Sequence, residues 1–202
     1  MRLFIITLFT TLNLLGYDQS HIDKLFKEEA CKGCDFSEAN LSGRDLSGFE
    51  ISDSSFKGAD LSNSNLFMSE LQGCDFSGAK LENTNFWKAD LSFSNFINTN
   101  AKGSNLKGAK LQSSTIKNSD FSHSISWKAD FSDADIENSD FSYSELGDAK
   151  FFNNDLTTSK FDKAILWQTQ FKNTSLTQEQ CEEAKKEEAV FKENIECIKD
   201  NF

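Results

Sequence analysis

Residues 79–96 read AKLENTNFWKADLSFSNF, in which Leu81, Phe86, Leu91 and Phe96 fall at every fifth place and Ala79, Thr84, Ala89 and Ser94 stand two places before them. Outward in both directions the register holds from Phe36 to Leu176 without insertion. Of its 29 positions, 27 are Leu, Ile or Phe, the exceptions being Ala101 and Ser126. The side chain two residues earlier is nearly always small, with Arg44, Phe49 and Asn154 as departures. A period of five alternates the faces of a strand and advances about 140° beyond a full turn on a helix, so it fits neither element. The chain must turn once per repeat, with the large and the small residue inward and the other three positions, rich in Asp, Asn, Ser, Lys and Gly, in water. Periodicity of this kind marks a solenoid whose coils bury one another.

Ala59-Asp60-Leu61-Ser62-Asn63 and Ala89-Asp90-Leu91-Ser92-Phe93 show the motif most clearly. They resemble the pentapeptide-repeat family, whose motif runs small residue, Asp or Asn, Leu or Phe, then two variable residues. The resemblance implies an all-β solenoid, a right-handed quadrilateral β-helix with four repeats per coil and about seven coils over residues 34–176. On a twenty-residue coil the Phe side chains sort into columns: Phe36, Phe56, Phe76 and Phe96; Phe121, Phe141 and Phe161; Phe131, Phe151 and Phe171. Aromatic stacking between coils is expected, at roughly 0.5–1.5 kcal/mol per pair beyond area burial. Such a core is filled by side chains and implies no substrate cavity.

An open β-helix end exposes unpaired backbone and apolar side chains, so both ends need covering. Residues 17–33 read as an N-terminal helical cap, with Ser20 and Asp23 as a capping box and Ile22, Leu25, Phe26 and Ala30 on one face. Residues 177–202 read as a C-terminal helical cap: Thr177 and Gln180 repeat the device, opening a helix to about Ala189, and Phe191, Ile195, Ile198 and Phe202 suggest a second helix. Residues 1–16 pair Met1-Arg2 with an uncharged run from Leu3 to Gly16, which reads as a signal peptide. The run falls short of the ~18–20 apolar residues of a membrane span. Export to a periplasm or comparable oxidising compartment is therefore expected, with a cytoplasmic protein as the alternative.

Of the five cysteines, Cys74 takes a small inward position and is expected to be inert. Cys181 and Cys197 can meet if the tail folds back as a hairpin. Cys31 and Cys34 read as a structural clasp, since zinc would need two further ligands where only His21 offers itself, and no βαβ context supports a redox pair. No metal or cofactor is expected. The two histidines, His21 and His123, read as solvated, and no phosphate loop, nucleophile elbow or His-Glu-x-x-His motif occurs, so neither an enzyme nor a small-molecule substrate is expected. A formal charge of -11 argues against nucleic acid as a partner.

Two surface features remain. No acidic residue lies between Asp90 and Asp120, where Lys102, Lys107, Lys110 and Lys117 fall on four successive sides and form a basic belt around an acidic rod. Trp87, Trp127 and Trp167 recur every forty residues on one face, with Phe67 and Met68 one coil earlier, Ile125 and Ile165 beside the later two, and Lys88 and Lys128 at its edge. With ~4.8 Å between coils the indoles are expected roughly 10 Å apart. Contiguous exposed aromatics mark interaction surfaces. Two plainer explanations compete: a forty-residue duplication, since Trp87-Lys88-Ala89-Asp90 and Trp127-Lys128-Ala129-Asp130 are identical, and a tail that folds back over this face. The expected function is a non-enzymatic exported scaffold or interaction module binding a protein partner, or itself, through the Trp face. The alternative that the resemblance offers is a cytoplasmic DNA mimic that protects gyrase; the apparent signal, the lysine belt and the lack of projecting loops disagree with it.

Overall fold

In the computed structural model, residues 17–199 are described; the signal reading of 1–16 and Phe202 lie outside them. The chain forms a β-solenoid with two short helices. Residues preceding a central apolar side chain bridge in parallel to the residue twenty places on, from Ala30↔Glu50 to Asp155↔Ser175; the ladder breaks between Asp135 and Asp155, where the Asn154 side chain donates to the Ala134 carbonyl (2.8 Å) instead. Where the bridges lengthen they form the parallel strands β1 (Asn95–Ile97), β2 (Thr115–Lys117) and β3 (Asp135–Glu137), then β4 (Lys150–Phe152) and β5 (Gln170–Lys172).

Three local devices make the turn. The residue two places after each centre takes left-handed backbone, as at Gly58 (φ 64°) and Gly103 (φ 68°), and also at Asn63 (φ 59°) and Asp133 (φ 60°). Glycine adopts this region freely and Asn or Asp at modest cost. Thr158 stands at the same place without a positive φ, as a β-branched side chain requires. The Asp or Asn before a centre accepts the amide two residues on, as Asp60 does from Ser62 (3.0 Å) and Asp120 from Ser122 (2.8 Å). The small inward residue often donates to the carbonyl of a centre 23 residues earlier: Thr84 to Leu61 (2.8 Å), Ser94 to Leu71 (2.9 Å), Thr169 to Leu146 (2.8 Å). Each of these carbonyls also accepts the amide three residues on, from Ser64, Cys74 and Ala149, so the hydroxyl fills a remaining lone pair and ties one coil to the next. Asn154 breaks the size rule but keeps the bond, its amide donating to Phe131 (3.1 Å).

The Phe columns form as expected. Ring centroids are 5.1 Å apart along Phe36, Phe56, Phe76 and Phe96, and 5.4 and 5.2 Å apart along Phe121, Phe141 and Phe161. Along Phe131, Phe151 and Phe171 they are 4.9 and 5.8 Å apart. Cys74 is buried and donates to the Ile51 carbonyl (3.2 Å); burial pushes its thiol up to about 12, so it stays protonated.

Helix α1 (Gln19–Glu28) lies on the first coil, with Leu25 fully buried. Its cap is Asp18, which accepts the Ser20 amide, rather than Ser20. The other two departures from the small-residue rule are explained here: Phe26 of α1 packs edge-on against Phe49 (6.4 Å), and the Arg44 guanidinium lies over the Phe26 ring (5.2 Å). His21 is not simply solvated; its Nδ1 accepts the Asp35 amide (3.0 Å), a donor that begins the first coil.

At the other end β6 (Thr174–Thr177) runs into α2 (Gln178–Lys186), whose Thr177 and Gln180 form the expected capping box. Gln180 also donates to the carbonyls of Leu156 (3.0 Å) and Ser159 (2.7 Å), covering the last coil. The expected second helix is instead two strands, β7 (Val190–Phe191) and β8 (Ile195–Ile198). Strand β7 stays in the twenty-residue register and stacks Phe191 on Phe171 (5.8 Å), whereas β8 pairs with β6 twenty-one residues away, Leu176 against Cys197. Their pairing supplies edge hydrogen bonds that an isolated helix would leave unmade. Disulfides join Cys31 to Cys34 and Cys181 to Cys197, one at each end.

The turn carboxylates make the fold acid-sensitive. At Asp60 the Ser62 amide holds the carboxyl below its ordinary range. At Asp90 burial pushes upward, but the Ser92 hydroxyl and Lys110 outweigh it. A folded-state pKa below the unfolded value of about 3.9 gives stability that is complete above that value and lost as pH falls through the folded pKa. The urea midpoint is therefore expected to hold between about pH 7 and 5 and to fall below about pH 4; a midpoint unchanged at pH 3 would contradict this.

Candidate functional site

The turn geometry sets the Trp side chains outward. Each follows a buried centre by one residue, so the register that buries Phe86, Ser126 and Leu166 presents Trp87, Trp127 and Trp167 to solvent. In successive coils this column reads Phe67, Trp87, Lys107, Trp127, Gly147, Trp167, and the column beside it Asn65, Asn85, Asn105, Ile125, Glu145, Ile165. The lower half of the second column is a polar ladder: Asn65 donates to Asp45 (2.9 Å), Asn85 to Asn65 (2.8 Å) and Asn105 to Asn85 (3.1 Å). It stops at Ile125. There and at Ile165 the turn-capping amide acceptor is replaced by a branched apolar side chain left 40% and 45% exposed.

The aromatic column forms two groups. Phe67 lies against Trp87 with centroids 5.0 Å apart, and Lys88 places its ammonium over the Trp87 ring (5.4 Å). Trp127 and Trp167 are 6.0 Å apart, much closer than two coil spacings. The cause is Gly147, which lies beneath the Trp127 ring; a Cβ there would overlap its six-membered edge. Trp127 leans across this notch and donates from Nε1 to Glu145 Oε2 (2.8 Å). Gly147 escaped the reading of the sequence, yet a signal existed: the other described glycines occupy the left-handed turn place, and Gly147 alone stands out of that register.

The tail does not cover this face. Helix α2 and β8 pack at the end of the rod, and Met68, Trp87 and Trp167 remain 54%, 39% and 45% exposed. The basic belt divides. Lys110 pairs with Asp90 (2.9 Å), and Lys117 with Asp135 (2.6 Å) and Glu137 (3.0 Å), so both are neutralised from neighbouring coils. For Lys102 and Lys107 no carboxylate lies within 4.0 Å among the described residues, and Lys107 stands within the aromatic column itself. His123 stacks on Tyr143 (5.0 Å), over which Lys163 places its ammonium (5.2 Å), a contact ladder on another corner. Among the described residues no group of His, Cys, Asp and Glu is placed to hold a metal ion, and no helix is long and apolar enough to cross a membrane.

The profile of the pentapeptide repeat region matches residues 30–106, and that of the pentapeptide repeats (8 copies) matches residues 89–125 and 129–168. Among solved structures the chain is similar to HetL, a pentapeptide repeat protein involved in heterocyst differentiation regulation from the cyanobacterium Nostoc sp. strain PCC 7120. The TM-score is 0.58 at 14% identity, over 89% of this chain and 90% of that one. The likeness is one of fold. Weaker likenesses are to full-length QnrB1, a plasmid-mediated fluoroquinolone resistance protein (TM-score 0.43, 18% identity, 85% and 92% covered), and to a pentapeptide repeat protein from the Arabidopsis thaliana thylakoid lumen (0.36, 28%, 60% and 75%). No curated protein matches the sequence.

Proposed function

The chain belongs to the pentapeptide-repeat family, and from that premise we propose that it is a non-enzymatic interaction module, exported to an oxidising compartment, that docks a protein partner on the face of Phe67, Trp87, Trp127 and Trp167. The observation that carries this reading is the seat of Trp127. A duplicated stretch explains why Trp127 repeats Trp87, but not why the next coil supplies Gly147 beneath the ring and Glu145 to its Nε1–H. Trp87 has Asn105 and Lys107 in the corresponding places. Held at the edge of a notch, Trp127 loses little freedom on binding, and Trp is enriched among the residues that dominate interface energetics. Ile125 and Ile165 extend the apolar strip sideways at the expense of the turn acceptor used elsewhere. The two disulfides support the compartment, since such bonds persist where thiols are not kept reduced.

A photo-crosslinking residue placed at 125 or 165 in cells is expected to trap a discrete protein product, and the same residue at position 77 on another face is not. Trp127→Ala with Trp167→Ala is expected to abolish the product while the far-ultraviolet spectrum and urea midpoint stay near wild type. Equal trapping from both faces, or none from 125 and 165, overturns the reading.

A further inference from the structure

The geometry points to a second copy of this chain as the occupant of the Trp-bearing face, lying antiparallel; this rests on the interaction surface proposed above. The charges that a partner must meet are those left unpaired within one protomer. Lys88 and Asp148 occupy the same corner column three coils apart, and among the described residues neither has an oppositely charged side chain within 4.0 Å. Lys107 is likewise unpaired within the aromatic column. A two-fold axis lying across the face, midway between the coils of Lys107 and Trp127, brings each column onto itself reversed. Lys88 then meets Asp148 of the other copy, Lys107 meets the face of Trp127, and Phe67 meets Trp167, each contact occurring twice.

Charge also disfavours the two nearest registers and the parallel arrangement. Shifting the axis half a coil one way sets Lys107 against its own copy and Lys88 against Lys128. Shifting it half a coil the other way sets Lys128 against its own copy. A parallel arrangement, with the axis along the rod, brings Glu145 against Asp148. Like charges placed directly opposite in an interface suppress the wrong pairing. The antiparallel register also uses the belt: Lys107, the member embedded in the aromatic column, becomes a cation over an indole. From Phe67 to Trp167 the strip spans five coil spacings, ~24 Å at ~4.8 Å each, a small interface of the size found in transient complexes. A dimer with a dissociation constant on the order of micromolar is expected.

The test is sedimentation equilibrium of the full chain over a concentration series, with charge exchange at one pair. Lys88→Asp and Asp148→Lys are each expected to weaken the dimer at least tenfold, since each creates two like-charge contacts. The double variant is expected to return to within threefold of wild type. The two single variants mixed are expected to associate with one another more tightly than either does alone, because both contacts of that heterodimer are opposite in charge. Lys88 and Asp148 are both on the surface, so neither variant threatens the core. Wild type that stays monomeric to millimolar concentration, or single variants indistinguishable from wild type, overturns the dimer. If a monomeric chain still gives a crosslinked product with another protein from position 125, only the identity of the occupant fails; if neither appears, the surface itself fails.

Discussion

Phe141→Ala is expected to lower the free energy of unfolding by about 4 kcal/mol, within the range for truncating a fully buried aromatic. Phe141 has no exposed surface and is the junction of two columns: its ring stacks on Phe121 and Phe161 and meets Phe131 (5.7 Å) and Phe151 (6.2 Å) edge-on. Each coil of a solenoid contacts only its neighbours, so a void in the interior weakens two interfaces at once and cannot be relieved by a shift elsewhere. Phe93→Ala supplies the contrast. That ring is 67% exposed, and its removal is expected to change stability by no more than about 0.5 kcal/mol. Urea unfolding of the two variants checks both; a loss below about 1 kcal/mol for Phe141→Ala would show that the coils repack.

Loss of the Cys181–Cys197 disulfide is expected to cost about 3 kcal/mol, the chain-entropy value for a closed loop of about this length. The bond ties the buried face of α2 to β8, which itself pairs with β6, so the whole C-terminal closure hangs together through one covalent link. Cys197→Ser is expected to reduce hydrogen-exchange protection of the β5 and β6 amides by roughly a hundredfold, about 3 kcal/mol of local opening. Unchanged protection would contradict the role. The Cys31–Cys34 ring is much smaller and constrains the unfolded chain far less, so Cys34→Ser is the milder change. Thiol trapping in intact cells reads the compartment from the same residues: Cys181 and Cys197 found as free thiols would remove the support for export.

The solenoid was legible because its buried positions repeat at fixed intervals and neighbouring coils impose no other demand on the chain. Phe columns and the Trp face follow from the same phase. What escaped were features that act between coils or outside the repeat. The hydroxyls of Thr84, Ser94 and Thr169 read only as small, because the carbonyls to which they donate lie 23 residues away. Arg44 and Phe49 read as exceptions until Phe26 was placed between them. The tail was misread because Phe191, Ile195 and Ile198 also fit helical spacing, and β8 pairs one residue out of the twenty-residue register. The indole spacing was misjudged for want of Gly147, whose effect is purely steric.

The bridging of every coil to the residue twenty places on separates two kinds of evolutionary change. An insertion or deletion of five residues keeps every large side chain inside and every turn in phase, so the rod persists. It also rotates everything downstream by a quarter turn, carrying Trp167 away from Trp127 and Gly147 away from the ring it seats. The scaffold therefore tolerates length changes in fives, whereas the Trp face survives only those in twenties. The sizes of indels between Phe67 and Trp167 among natural variants would record whether selection has acted on the rod alone or on the surface it carries.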